Sequence, residues 1–328
     1  MKKQQAYGND SISALKGADR VRKRPAVIFG SDGLDGCEHA VFEILSNAID
    51  EAREGHGKVI TLTHYADGSI EVEDNGRGCP VDWNPKEKRY NWELVYCELY
   101  AGGKYNNLDG DNYEYSLGLN GLGACATQYA SRYMDVTVWR DGNKYSLHFE
   151  RGQITGKKGE ELKIEPTDRG KKTGTLTRWL PDLDVFTDIN IPVEYYTDVL
   201  KRQAVVNPGV LFLLRDEQED GSFAEEQFYY EKGIEDYARE LLGGEEPLTP
   251  VQYWEAERIG RDREDKPDYK VKLSVALCFS NRVTITEYYH NSSFLEHGGS
   301  PERAVKAATV YQIDSYLKQN GKYLKNES

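Results

Sequence analysis

Apolar positions along the chain change period in a way that marks helices and strands. Residues 35–55 (DGCEHAVFEILSNAIDEAREG) repeat with a helical period. Asp35, with Glu38 three residues on, reads as an N-cap and its capping-box partner, and Gly55 as the C-terminal stop. Strand-like runs at 59–65 and 69–74 flank Asp67-Gly68, which predicts a hairpin. A glycine loop, NGRGCP, follows it. Residues 91–101 read as a helix broken by Gly102 and Gly103, and the polar stretch 104–116 as a mobile loop. A glycine-rich run at 118–123 opens a short helix to about Arg132. Two strands meet at Asp141-Gly142, and another lies near 173–180. Polar connections near 216–223 and 243–270 surround a helix at 233–242; strand 271–279 and helix 301–319 complete the chain. Strands and helices mixed without strict alternation predict an α+β fold.

Length and charge narrow this picture. At roughly 150 residues per domain, 328 residues suggest two domains, with a boundary near 220–235. Forty-two basic against 55 acidic residues leave a net charge of −13, so the chain cannot grip DNA or an acidic membrane by bulk charge. A local basic groove stays open. No run approaches the ~18 apolar residues of a membrane span, and the polar start MKKQQAYGND is not a signal peptide. Five scattered cysteines (37, 79, 97, 125, 278) form no CxxC pair. They support neither a disulfide framework nor a zinc site, and favour a cytoplasmic location.

The helix at 35–55 carries a chemical face. At 100° per residue, His39, Glu43, Asn47 and Asp50 fall within about an 80° arc, with Glu51 just outside it. A solvated polar face is the plain reading. Such a face usually balances its acids with Lys or Arg, whereas this one sets an imidazole, an acid and an amide four residues apart along one ridge. A carboxylate held by His39 could orient a water as general base. The Asn47 carbonyl suits Mg²⁺, which takes few protein ligands and relies on substrate phosphates for others.

In 69–74, Ile70 and Val72 share one strand face, and Asp74 continues their phase toward the core. A buried carboxylate needs a donor. Candidates are a backbone N–H in the next turn, Arg77, or the exocyclic amine of a purine, with Gly76 and Gly78 letting a flat ring approach the backbone. An ordinary Asp-Gly turn also fits. Gly118, Gly121 and Gly123 open a helix whose free N–H groups could bind phosphate. A tight loop without ligand is the alternative. Of the Gly-Lys pairs at 57, 103, 156, 170 and 321, none sits in a Walker A loop. Gly121, Gly123, Ala126 and Asp141 fit a dinucleotide fingerprint, but the preceding NYEYSLGLN is not a buried parallel strand.

KRPAVIFG, FEILSNAIDEA, VEDNGRGCP, LYAGGKY, GLNGLG and TGTLTRW occur in this order. Together they closely resemble the ATPase region of bacterial type IIA topoisomerase B subunits (gyrase B or its topoisomerase IV counterpart), a branch of the GHKL ATPases. The resemblance is strong over 7–215 and weaker to the C-terminus, as in CFSNRVTITEYYHNSSFLEHGG. It implies a GHKL (Bergerat) α/β sandwich over 1–230 and a smaller transducer of ribosomal-protein-like βαβ type over 231–328.

By this resemblance Glu43 is the general base and His39 its orienting partner. Asn47 is the Mg²⁺ ligand, and Asp74 reads adenine with Gly78 and Thr175 beside it. Lys104, Tyr113, Gly118, Leu119, Asn120, Gly121, Leu122 and Gly123 match the lid over the phosphates of ATP. Tyr7 matches an arm reaching into a second protomer. Asp74, Arg77, Cys79, Pro80, Arg140 and Thr175 match the pocket where aminocoumarin inhibitors bind. The implied partners are a second B subunit on ATP binding, the DNA-cleaving A subunit in an A2B2 enzyme, and duplex DNA, with no membrane. Cys79 stands where an aliphatic residue is usual, Leu117 and Asn120 depart from GGLHGVG, and RPAVIFG replaces RPGMYIG. A Gln-Thr-Lys loop and a Toprim signature are absent, which reads as a fragment ending within the transducer. A MutL-like clamp, a chaperone, a dinucleotide enzyme and an interaction module with a vestigial site are the competing readings.

Overall fold

The computed structural model describes residues 14–101, 117, 121–167, 172–261, 263–266, 268–290 and 292–324. Contacts divide the chain into two units. One holds residues up to Lys201 together with Gly209–Tyr229; the other holds Arg202–Pro208 and the residues from Tyr230 onward.

The first unit opens with α1 (Asp19–Arg22), α2 (Pro25–Phe29) and the long α3 (Leu34–Arg53). Then come β1 (Val59–His64), β2 (Ile70–Asp74), the short β3 (Trp83–Asn84) and β4 (Arg89–Tyr90), α4 (Asn91–Cys97) and α5 (Gly123–Tyr129). Strands β5 (Ser131–Arg140), β6 (Asn143–Glu150), β7 (Gln153–Ile154), β8 (Lys163–Pro166) and β9 (Gly174–Pro181) precede α6 (Val193–Val206), whose residues from Arg202 on belong to the second unit, and β10 (Leu211–Glu217) and β11 (Phe223–Phe228). The sheet runs β11-β10-β1-β2-β9-β5-β6-β7, with β8 on β6. Only β1 and β10 pair in parallel among these strands.

Each long element forms for a readable reason. Ile60 and Leu62 on β1 and Ile70 and Val72 on β2 alternate into the core, so a period of two becomes one buried face. Cys37, Ala40, Val41, Ile44, Leu45, Ala48 and Ile49 form the buried stripe of α3. Trp179, Phe186, Phe149 and Met134 fill the interior with it. The β5–β6 hairpin turns at Asp141 and Gly142, both at positive φ, which suits a two-residue hairpin loop.

Antiparallel pairing fixes where the site lies. The end of β2 meets the start of β9, with Glu73 opposite Leu176. The start of β9 meets the end of β5, with Gly174 opposite Trp139. Asp74, Thr175 and Arg140 therefore share one rim of the sheet.

Four local expectations need correction. Asp35 is not the N-cap of α3: the helix starts after Gly33, whose carbonyl accepts the amides of Gly36 and Cys37. The tight turn is made by Ser31, whose hydroxyl accepts the Gly33 N–H, and Asp35 lies in the first turn, where its charge suits the helix dipole. The helix expected over 91–101 ends at Cys97, and Tyr100 takes a positive φ. The helix after the glycine run ends at Tyr129, not near Arg132, because β5 begins at Ser131. The stretch 243–270 holds a strand as well as polar connections.

That strand belongs to the second unit. β12 (Gln252–Gly260) pairs antiparallel with β13 (Tyr269–Leu277). Helix α7 (Ile234–Leu241), the short pair β14 (Tyr289–His290) and β15 (Ser293–Phe294), and α8 (Gly299–Gln319) complete it. Gln203 is buried here and donates to the Ser292 carbonyl at 2.9 Å. No helix among the described residues is long and apolar enough to cross a membrane.

Candidate nucleotide site

Helix α3 carries one end of the candidate site. The His39 Nε2 faces Glu43 Oε1 at 3.2 Å, one helical turn on, and its Nδ1 faces the Phe29 carbonyl at 3.2 Å. Its hydrogen bond to Glu43 raises the basicity of His39 above the usual value, against the opposing effect of burial. Asn47 donates its amide nitrogen to the Glu43 carbonyl at 2.9 Å, which leaves its Oδ1 as the acceptor on an exposed side chain. Gly123, the first residue of α5, lies directly against Glu43: a β-carbon there would come within 2.0 Å of Oε2. A side chain at 123 would thus push the Glu43 carboxylate out of its place.

The other end is built on β2. Asp74 is buried in phase with Ile70 and Val72, as its position in the strand predicts. Its donor is the Gly76 N–H at 2.8 Å. Burial pushes its carboxyl up to about 6, although hydrogen bonds from the backbone of Gly76 and Thr175 work the other way; Glu51 and Glu73 add repulsion. Thr175 accepts the Cys79 N–H at 2.9 Å. Arg140 donates to the Gly78 carbonyl at 2.8 Å. Two glycines allow the strands and loop to close. A β-carbon on Gly78 would lie 2.6 Å from the Trp139 carbonyl, and one on Gly174 would lie 2.0 Å from the Asp74 carbonyl. Both have positive φ.

Arg77 does not serve Asp74. It turns to α3, where Nε reaches Glu51 Oε2 at 3.1 Å and Nη2 reaches Glu51 Oε1 at 2.7 Å and also Glu54. Burial opposes the charge on Glu51, but the hydrogen bonds and charge of Arg77 outweigh it and hold the carboxyl below its ordinary value. The exposed Pro80 and half-buried Cys79 form the rim, and burial pushes the Cys79 thiol up to about 11. Helix α3 thus spans the site, with Glu51 at the loop 75–78 and Glu43 at the start of α5.

Gly121 takes a positive φ and accepts the Tyr100 N–H, and Leu122 caps α5. Tyr7, Lys104, Tyr113, Gly118, Leu119 and Asn120 lie outside the described residues. Leu117 is described, and its N–H reaches the buried Asp50 at 2.8 Å.

Comparisons of the whole chain with known proteins point to one group. Residues 33–175 match the family described as "Histidine kinase-, DNA gyrase B-, and HSP90-like ATPase", and residues 233–328 match "DNA gyrase B". The DNA gyrase B protein of Synechocystis sp. is 35% identical over 324 residues, covering 98% of this chain and 28% of that protein. The DNA topoisomerase 4 B protein of Streptococcus pneumoniae is 33% identical over 316 residues, covering 96% of this chain and 46% of that one. The chain belongs to the gyrase B and topoisomerase IV B family. The crystal structure of the 43K ATPase domain of Thermus thermophilus gyrase B, in complex with an aminocoumarin, aligns with a TM-score of 0.69 and 29% identity. That alignment covers 95% of this chain and 76% of the other. The chain spans less than half the length of the Synechocystis and Streptococcus proteins. Within this family it covers the ATPase part, a GHKL fold followed by a transducer-type domain.

Sequence reasoning missed Glu51 and Glu54 as the partners of Arg77, and Gly174 as the residue that lets β9 close on Asp74. Glu51 was visible on the helix face, but its partner lies across the fold. Gly174 carried a signal in TGTLTRW, a glycine entering a strand, which often marks close backbone approach.

Proposed function

We propose that this chain is the ATP-binding and ATP-hydrolysing dimerisation clamp of a type IIA DNA topoisomerase, residues 1–230 acting as the ATPase domain and 231–328 as the transducer. The observation that carries the reading is the His39–Glu43 pair set against Gly123, with a buried Asp74 at the opposite end of α3. Asp74 accepts from the adenine amine, and Thr175 and Gly78 flank the ring. Glu43 takes a proton from the attacking water, and His39 holds the carboxylate in place. Gly121, Leu122 and Gly123, with Lys104, Tyr113, Gly118, Leu119 and Asn120, close over the phosphates.

The donor set suits Mg²⁺ held mainly by phosphate. Asn47 offers one neutral oxygen, and no cluster of three His, Cys, Asp or Glu among the described residues forms a protein cage. When bound, Mg²⁺ would neutralise phosphate charge. Closure pairs two protomers, with Tyr7 of each reaching into the other, and encloses duplex DNA passed on to an A subunit in an A2B2 enzyme. The setting is cytoplasmic. Arg77, Cys79, Pro80 and Arg140, with Asp74 and Thr175, form a seat for aminocoumarins.

Light scattering tests the clamp. A non-hydrolysable ATP analogue with Mg²⁺ should double the mass of the chain, and NAD should not. A chain that binds NAD rather than ATP by calorimetry overturns the reading.

A further inference from the structure

The start of β9 is held from the face of the sheet that turns away from the candidate site. Strand β9 lies between β2 and β5. The β2–β9 ladder runs from Ile70 opposite Trp179 to Glu73 opposite Leu176 and stops before Asp74. Gly174, which crowds the Asp74 carbonyl, and Thr175 lie beyond the end of that ladder. Alternation sends neighbouring side chains to opposite faces. Asp74 continues the buried phase of Ile70 and Val72, so Glu73 points to the outer face. Val138 is buried, so Trp139 shares that outer face. Trp139 pairs with Gly174, which has no side chain to cover the ring. Lys172 covers it instead, with Nζ 3.6 Å from the ring centroid. The same Nζ donates to Glu73 Oε1 at 2.9 Å. One ammonium thus ties β2 and β5, the strands on either side of β9. The Lys172 side chain borders a cavity of about 490 Å³, with Val59, Thr61, Asn75 and Thr173 also on its walls, so charge and ring rather than core packing hold it.

We infer that Lys172 is a positioning residue for the adenine end of the site: by gripping Glu73 and Trp139 on the outer face, it seats Gly174 and Thr175 against Asp74 on the inner one. This rests on the reading of Asp74 and Thr175 as the adenine seat. It adds what the ladder leaves open, the lateral position of the chain as it enters β9. Thr175 is the sensitive member, because its Oγ1 accepts the Cys79 N–H at 2.9 Å and so sets the loop that follows Gly78. The side chains of Lys172 and Glu73 are 45% and 37% exposed, so each arm of the grip is modest and screened by salt. Glu43 lies toward the other end of α3, so loss of Lys172 should change affinity and leave the chemical step.

The test uses the whole chain and reads the grip first without nucleotide. In ¹H–¹⁵N NMR the Cys79 amide reports its hydrogen bond to Thr175. Lys172→Met keeps the length of the side chain and removes its charge. The Cys79 amide proton should move upfield in this variant. Its calorimetric Kd for a non-hydrolysable ATP analogue should rise about fivefold, with the single-turnover rate at saturating ATP unchanged. Lys172→Arg should restore both the amide and the affinity. A Cys79 amide or a Kd equal to the parent's in Lys172→Met overturns the inference. So does an affinity loss that Lys172→Arg does not recover, because that loss would not come from the charge. If Lys172→Met does not fold, Glu73→Gln decides: it removes one arm at nearly constant size and should move the same amide in the same direction, and an unmoved amide overturns the inference. A parent chain that binds no adenine nucleotide would refute the proposed function and leave the amide shift to decide the grip.

Discussion

The Glu43 carboxylate lies against the Gly123 α-carbon so closely that a β-carbon there would displace it. A β-carbon at 123 would lie 2.0 Å from Oε2 and 2.9 Å from Cδ. Gly123→Ala should therefore push Glu43 out of line. We expect hydrolysis to fall about 10²-fold, with the affinity for an ATP analogue falling far less. Single-turnover rates compared with calorimetric Kd would separate the two. A rate within twofold of the parent would mean that Glu43 has room to move.

Glu43→Ala should abolish hydrolysis and retain nucleotide binding, because the base acts on water and not on the adenine. Full turnover in this variant would remove Glu43 from the mechanism.

Asp74 gives a pH signature. Its folded carboxyl is raised to about 6 by burial. The folded state therefore holds its proton more tightly than the unfolded state, and stability is lost as pH rises from about 4 to about 6, by up to roughly 3 kcal/mol. Asp74→Asn should lose nucleotide binding yet gain stability relative to the parent as pH rises through that window. Urea unfolding at pH 4 and pH 7.5 measures the difference. A constant gap between the two proteins would contradict the buried-acid account.

Arg77 predicts a split between ligands. Held by Glu51 and Glu54 at the exposed rim, it should matter to an aminocoumarin more than to ATP. Arg77→Ala should weaken inhibitor binding about tenfold or more and ATP binding only severalfold. Glu51→Ala should reproduce part of the inhibitor loss by releasing Arg77. Unchanged inhibitor affinity in Glu51→Ala would show that Arg77 does not depend on that clamp.

What could be read in advance depended on whether the determinant was local. The inward aim of Asp74 follows from the phase of β2, and the His39–Glu43–Asn47 ridge from the pitch of α3. Both needed only neighbouring residues. The Gly123–Glu43 and Gly174–Asp74 approaches are contacts across the fold, and a glycine alone does not announce what crowds it. Strand β12 was hidden for another reason. QYWEAERIG mixes charges and aromatics on a strand that is exposed along nearly its whole length, so no apolar alternation reveals it. Asp35 misled in a simpler way, as a good capping residue overruled by the Ser31 turn just before it.

The crowding around Gly78 and Gly174 also bears on how the pocket can change under selection. Any side chain at either position meets a backbone carbonyl at 2.6 Å or closer, so an inhibitor seated on Asp74 faces walls that cannot mutate cheaply. Variation is left to the rim, where Arg77 and Pro80 are exposed and Cys79 is half-buried. Drug escape in this chain should therefore accumulate at Arg77, Cys79, Pro80 and Arg140, while the adenine floor stays fixed.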